Sequence, residues 1–129
     1  MGIKYLWDSN TAIYFLQKQF PPATENLIED LLAESLPAIS VITEIELLCW
    51  KTTSDTDIQL LIDFIEEVTI FELENAIKLK TAEIRKTNRV KLPDAIIAAT
   101  ALVHDLTLVT RNVKDFDQIR GLKVINPWV

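Results

Sequence analysis

Apolar and polar residues alternate along this chain in blocks whose length and period distinguish strands from helices. Short apolar runs bounded by polar or turn residues are typical of buried strands, and they occupy residues 3–7, 37–41, 68–71, 107–110 and 122–125. Segments with apolar residues every three or four positions predict helices at residues 11–17, 24–35, 43 onward, 55–67, 74–88 and, after a proline start, 92 onward. This alternation predicts one α/β domain over residues 1–129, with a mainly parallel sheet of four to five strands and helices on both faces.

Composition agrees with a densely packed chain. Of the 129 residues 49% are hydrophobic and only two are glycine. The single cysteine, Cys49, cannot form an internal disulfide, which fits a reducing cytosol and predicts a cytoplasmic protein. Neither a signal peptide nor an apolar run long enough to cross a bilayer is visible, so no membrane association is expected.

The net charge of −6 argues against a general electrostatic attraction for nucleic acid. The distribution of positive charge is uneven, however. Six of the thirteen Lys and Arg residues lie within a short stretch: Lys78, Lys80, Arg85, Lys86, Arg89 and Lys91. This run is either a solvated helix face or a patch that faces phosphates.

Four acids follow or flank the predicted strands in a way that suggests a site. Asp8 follows the first strand, Glu46 the second and Asp115 the fourth, while Asp94 lies near the start of the proline-led helix. In a parallel sheet all four positions lie at the carboxyl end, where ligands bind. Two carboxylates 4 Å apart repel by about 4 kcal/mol at an effective dielectric of 20, so a cluster needs a cation or a proton. Oxygen-only ligands favour Mg²⁺ or Mn²⁺, which support phosphodiester hydrolysis.

Each acid also has a purely structural explanation. Asp8 suits a helix N-cap, Asp94 the positive end of a helix dipole, and Asp115 an Asx-turn. Thr43-x-x-Glu46 fits a capping box, in which Glu46 reaches back to the Thr43 N–H. Other catalytic groups are scarce, since His104 is expected to pack at a helix C-terminus and Cys49 in the core, and no glycine-rich phosphate loop exists.

Four segments resemble PIN domains, and in particular the VapC-type toxins of bacterial type II toxin–antitoxin pairs. They are YLWDSNTAIYFL, ISVITEIELL, LPDAIIAATALVHDLTLVTRNVKDF and GLKVINPW, in the family's order and over almost the whole chain. The resemblance implies a three-layer α/β/α sandwich with Mg²⁺- or Mn²⁺-dependent ribonuclease activity on RNA. It also implies a cognate antitoxin that binds and inhibits the protein, and a homodimer, for which the apolar residues 45–50 and 60–65 are a compatible interface.

The resemblance also implies roles for particular residues. Asp8, Glu46 and Asp94 match the first three family acids, with Glu44 as a decoy beside Glu46. Many PIN domains carry a fourth acid two residues after the strand-four Thr, and here that place holds Asn112, so Asp115 is assigned instead. The supporting residues are Asn10, Ser40, Thr43, Thr110 and Asn112, and the RNA-guiding residues are Lys78, Arg85, Lys86, Arg89 and Lys91.

Two other interpretations stay open. A phosphoacceptor receiver domain is also small, acidic and α/β, but it requires an acidic pair after strand one and an Asp after the central strand. Here strand one ends in the single acid Asp8, and the third run reads VTIFELEN. A non-catalytic PIN-like module that only binds partners would be favoured by a missing acid, and none of the first three is missing.

Overall fold

Residues 2–128 are described by a computed structural model, and within them five short strands alternate with seven helices. The strands are β1 (Tyr5–Trp7), β2 (Ala38–Ser40), β3 (Thr69–Phe71), β4 (Thr107–Val109) and β5 (Val124–Ile125). The helices are α1 (Ser9–Leu16), α2 (Pro22–Glu34), α3 (Val41–Leu48), α4 (Asp55–Glu67), α5 (Asn75–Thr87), α6 (Leu92–Val103) and α7 (Val113–Phe116).

The strands form one parallel sheet in the order β3-β2-β1-β4-β5. Leu6 in the central strand β1 pairs with Ala38 on one side and with Leu108 on the other. The strands β2 and β3 are therefore added on one side of β1, and the later strands β4 and β5 are added on its other side. The strand order reverses between β1 and β4, and the crevice beyond their carboxyl ends is where such sheets bind ligands.

Two hydrophobic cores cover the two faces of the sheet. Successive strand residues point to opposite faces, so Leu6 packs in a core built largely from α5, α6 and α7. Trp7 packs in the second core, which is built from α1 to α4. The predicted α/β/α sandwich with a parallel sheet is therefore confirmed.

Helix α6 is buried on nearly all sides, as its composition predicts. Pro93 lies in the first turn, where its missing N–H breaks no helical hydrogen bond. Every residue from Ala95 to Ala101 is buried, and the small alanine side chains let the helix pack closely against α5 and the sheet. Asp94 is the third residue of this buried helix, near its start as predicted.

Several predicted boundaries are wrong. The strands are shorter than the apolar runs, so β1 begins at Tyr5 and β5 at Val124, and α2 begins at Pro22, before the predicted residue 24. Helix α1 begins at Ser9 because Asp8 provides the cap. Helix α3 begins at Val41, two residues before Thr43, because β2 ends at Ser40 and the Ser40 side chain caps the helix. No helix within residues 2–128 is long and apolar enough to cross a membrane.

Candidate acidic site

Asp8 is held rigidly at the carboxyl end of β1. The preceding residue, Trp7, packs edge-on against Phe15, with ring centroids 5.2 Å apart, and stacks with Phe64 at 6.1 Å. Asp8 itself is only 5% exposed. Its Oδ1 accepts hydrogen bonds from the Thr11 backbone N–H (2.9 Å) and the Thr11 hydroxyl (2.6 Å), so the predicted N-cap is confirmed.

The second oxygen of Asp8 is tied to the end of β4. The Thr110 hydroxyl donates to Asp8 Oδ2 at 2.5 Å and accepts from the Asn112 backbone N–H at 3.0 Å. Thr110 therefore supports Asp8 across 102 positions of sequence. The contribution of Asn112 to this network comes from its backbone.

Glu46 is connected to the start of α1 by a chain of hydroxyl groups. The Ser9 hydroxyl donates to Glu46 Oε1 at 2.7 Å and lies 3.0 Å from the Thr43 hydroxyl. Because a hydroxyl has one proton and that of Ser9 goes to the carboxylate, Thr43 must donate to Ser9. The predicted Thr43–Glu46 capping box is wrong, since Ser40 caps α3 by accepting from the Ile42 N–H at 3.1 Å.

Asp94 is the acid whose ionisation is most affected by its surroundings. Desolvation of the half-buried carboxyl raises its pKa above the ordinary 3.8, and the charges of Asp115, Asp8 and Glu46 raise that pKa further. Lys91 opposes this shift. The Asp94 carboxyl therefore lies within electrostatic range of three acids that come from other elements.

Asp115 lies in the short helix α7, where the sequence predicts a polar turn. The Asx-turn prediction for Asp115 is wrong, because the carboxylate accepts no hydrogen bond within residues 2–128. Asp115 lines an exposed cavity of about 400 Å³, together with Arg111, Asn112 and Asn126. Asn10 is exposed on α1, and its role beside Asp8 stays a prediction.

The acids fit a divalent cation by their chemistry. All are hard oxygen donors, and the charge that raises the pKa of Asp94 is the charge that a cation would neutralise. Within residues 2–128, however, no three acidic, His or Cys side chains are arranged so that they could bind one ion. This pattern suits Mg²⁺, which is typically held by one or two carboxylates directly and keeps several waters.

The basic run does not face the acids as a unit. Lys91, at the N-cap of α6, is close enough to lower the pKa of Asp94. Arg85 instead donates from Nε to the Val90 carbonyl at 3.2 Å, which fixes the α5–α6 connection. Lys78 and Arg85 border a mainly apolar cavity between α5 and α6, and Lys86 and Arg89 are exposed to solvent.

Two residues with roles in this region are missing from the sequence-based assignment. Ser9 and Thr11 orient Glu46 and Asp8, yet in sequence they appear only as helix-start residues. The signal for Thr11 was local, because an Asp followed three positions later by Thr is typical of a capped helix start. Ser9 had no such signal, since its partner lies 37 positions away.

Of the predictions for His104 and Cys49, one is confirmed and one is wrong. His104 packs at the C-terminus of α6 as predicted, with its ring stacked on Phe71 at 3.9 Å and its Nε2 2.9 Å from Glu74. The prediction that Cys49 lies in the core is wrong, because Cys49 is exposed just after α3.

Comparisons with known proteins agree with this architecture. The Salmonella typhimurium VapBC complex bound to DNA contains a chain with a TM-score of 0.81 and 23% identity, covering 98% of this chain and 99% of that one. A chain of VapBC-1 from nontypeable Haemophilus influenzae gives a TM-score of 0.78 and 26% identity, covering 97% and 98%.

Sequence comparisons point the same way. A Rickettsia felis protein, Ribonuclease VapC1, is 56% identical over 32 residues, which are 25% of this chain and 24% of that relative. The chain thus spans about a quarter of that relative's length in this match. A profile of the PIN domain matches residues 5–122, nearly the whole chain. The chain therefore belongs to the PIN domain family and resembles its VapC-type members.

Proposed function

We propose that this protein is a metal-dependent endoribonuclease that hydrolyses RNA phosphodiester bonds at Asp8, Glu46, Asp94 and Asp115. The observation that carries the proposal is the raised pKa of Asp94, because three other carboxylates and burial cause it. A carboxyl whose pKa is raised by burial and by neighbouring like charges is more frequent at functional sites than elsewhere. Purely structural roles for the four acids would not require their charges to act on one carboxyl.

Each acid has a distinct part in the proposed reaction. Asp8 is the most rigid, because three hydrogen bonds from Thr11 and Thr110 fix both of its oxygens. Glu46 is exposed apart from its contact with Ser9, so it is the acid best placed to orient the attacking water. The charges of Asp94 and Asp115 add to those of Asp8 and Glu46.

Mg²⁺ or Mn²⁺ bound among these acids would polarise the scissile phosphate and lower the pKa of the attacking water. We propose Asp8 and Asp94 as the direct ligands, with Glu46 and Asp115 contributing through bound water. Lys91 lies near enough to Asp94 to affect its charge, and it is the member of the basic run best placed to meet the RNA backbone. Roles for Lys78, Arg85, Lys86 and Arg89 in RNA binding stay predictions.

We also propose that the protein is the toxin of a type II toxin–antitoxin pair and acts in the cytoplasm. Likeness at 26% identity to a chain of VapBC-1 supports a protein partner, and we propose that this partner inhibits the enzyme. A homodimer is the proposed assembly. A short neighbouring reading frame with a DNA-binding pattern would identify the partner.

The test is cleavage of an RNA panel in the presence of Mn²⁺ by the wild type and by Asp8→Asn and Asp94→Asn. The proposal expects cleavage by the wild type that is lost in both variants and on removal of the metal with EDTA. Equal activity in all three proteins would contradict the site. Absence of cleavage and of Mn²⁺ binding in the wild type would favour a non-catalytic binding module. Growth arrest in cells that survives Asp94→Asn would contradict the toxin assignment.

A further inference from the structure

A polar cavity opens beside the acids on the side of β4 and β5. It measures about 400 Å³ and is lined by Arg111, Asn112, Val113, Lys114, Asp115 and Asn126. Because Asp115 is one of the four converging acids, the cavity adjoins the acidic site. A second cavity of similar size between α5 and α6 differs in character, since Leu73, Leu92 and Ile96 line much of it.

One of the residues that line the cavity, Arg111, contacts a cluster of aromatic side chains. The Arg111 guanidinium lies 5.9 Å from the centre of the Trp128 ring, a distance typical of cation–π contacts. Trp128 in turn packs edge-on against Tyr14 at 5.6 Å and Phe20 at 5.3 Å. Its backbone N–H also donates to Asn126 Oδ1 at 2.9 Å. These contacts restrict the Arg111 and Asn126 side chains, although both residues are exposed to solvent.

The two cations of the cavity have no acidic partner. Among residues 2–128, ion pairs involve Lys4, Lys80, His104 and Lys123, but neither Arg111 nor Lys114. On a chain with a net charge of −6, a cavity with two cations outside any ion pair and a single acid, Asp115, is an unusual local charge distribution. An RNA strand that crosses the acids is repelled there, so its neighbouring phosphates need cations close by.

We propose that this cavity binds a phosphate of single-stranded RNA next to the scissile one, with Arg111 and Lys114 as its ligands. Arginine in particular matches phosphate oxygens with paired donors. The inference rests on the proposed function, since Asp115 also lines the cavity and repels a phosphate unless a divalent ion neutralises it. It places the main backbone contact here, and not on the exposed Lys86 and Arg89 of the basic run.

The experiment measures the salt dependence of RNA binding. Fluorescence anisotropy of a labelled single-stranded RNA of mixed sequence is followed with the four acids intact and with Ca²⁺ in place of Mg²⁺, so that a divalent ion can neutralise Asp115 while hydrolysis is suppressed, and the RNA is checked for integrity after each titration. Removing one cation that binds a phosphate reduces the slope of log Kd against log salt by about 0.7. We expect that reduction for Arg111→Gln and for Lys114→Gln. The matched controls Lys86→Gln and Arg89→Gln should keep the slope of the parent protein.

Arg111→Lys separates charge from packing. It retains a cation but loses the planar group over Trp128, so we expect the slope to be kept even if thermal stability falls. Unchanged slopes for Arg111→Gln and Lys114→Gln, or an equal reduction in the Lys86 and Arg89 controls, would overturn the proposal.

Cleavage by the otherwise unmodified protein, measured in parallel, separates this proposal from the proposed function. Cleavage together with unchanged slopes would contradict the phosphate site alone. Absence of both cleavage and RNA binding would contradict both proposals.

Discussion

At the scale of single residues, the site contains carboxylates whose mutual repulsion opposes folding. Asp8 is buried but compensated by three hydrogen bonds. Asp94 has the opposite balance, because burial and three other carboxylates raise its pKa and only Lys91 opposes them. Such residues typically lower stability in exchange for function.

Replacing Asp94 by Asn should therefore stabilise the metal-free protein at neutral pH, by an increase in Tm on the order of a few degrees. The folded pKa of Asp94 is raised above 3.8. The Asp94 carboxyl therefore makes its full contribution to the free energy of unfolding when the pH is below the pKa it has in the unfolded chain. That contribution is lost as the pH rises through the pKa it has in the folded protein. The gain from Asn should shrink as pH falls toward 4, in thermal melts across a pH series.

The control for this prediction is Asp117→Asn. Asp117 is exposed and does not contribute to the raised pKa of Asp94. A lower Tm for Asp94→Asn at pH 7 would show that the convergence of the acids does not strain the fold. The same conclusion would follow if the gain did not depend on pH.

Ser9 tests whether the groups that orient the acids matter. Ser9→Ala removes the donor to Glu46 Oε1 and the acceptor for Thr43. Groups that orient metal ligands typically contribute 10- to 100-fold, so we expect a reduction of the cleavage rate on that order. The matched control is Ser54→Ala, which removes the N-cap of α4 far from the acids in sequence and should cost about 1 kcal/mol of stability.

If Ser9→Ala and Ser54→Ala cleave RNA equally well, Ser9 has no positioning role. Melting curves for both variants establish whether any decrease in activity comes from unfolding. Cleavage assays at a temperature well below both midpoints then isolate the effect on the site.

At the scale of elements, α6 determines how precisely the acids are placed. The helix is almost wholly buried, and it presents Asp94 from its first turn. Ala98 is 0% exposed and packs in the core formed with α5 and the sheet. A larger side chain there would have to displace the core residues around it.

Ala98→Leu should therefore destabilise the protein by about 1–3 kcal/mol, the usual cost of overpacking a filled core. The matched control is Ala76→Leu, at an exposed position of α5, which should leave the stability nearly unchanged. Urea unfolding of both variants measures the difference. A midpoint for Ala98→Leu equal to that of the wild type would contradict the close packing of α6.

The sequence predicted these elements well where the signal is local. Helix α4 was predicted with its observed bounds, because its apolar residues recur with a clear helical period and Ser54 supplies a cap. Helix α3 was predicted from Thr43 but begins at Val41. Ser40 and Thr43 are both good N-cap residues, and Ser40 is the cap because β2 ends there. Helix α7 was missed because four residues are too few to show a period.

The site shows the same division between local and distant information. The four acids could be chosen from their places after strands and from the family resemblance. The Ser9–Glu46 and Thr110–Asp8 contacts join residues 37 and 102 positions apart, and no local pattern predicts such pairs. The cations Arg111 and Lys114 were overlooked because only the fold places them around a cavity.

At the scale of the whole molecule, the exposed apolar residues bear on assembly. Ile45 and Leu48 lie on one face of α3 and are 52% and 61% exposed. Both belong to the segment 45–50 that the sequence suggested as an interface. The homodimer stays a prediction, and this face is where it can be tested.

Leu48→Glu should shift the protein toward the monomer, because it places a charge in an apolar contact. The matched control is Leu79→Glu on α5, where Leu79 is 65% exposed. Light scattering after size exclusion gives the mass of each species. A monomeric wild type, or an equal effect of the two variants, would contradict an interface at α3.

The central claim is that acids from four elements form one site for a divalent cation, and calorimetric titration with Mn²⁺ tests it most directly. Helix α3 offers a matched pair, since Glu46 is joined to Ser9 in the acidic site and Glu44 is the nearby decoy. The account predicts that Glu46→Gln and Asp94→Asn each weaken Mn²⁺ binding by at least about tenfold while Glu44→Gln binds as the wild type does. Equal Mn²⁺ affinity in all four proteins, or no binding by the wild type, would contradict it.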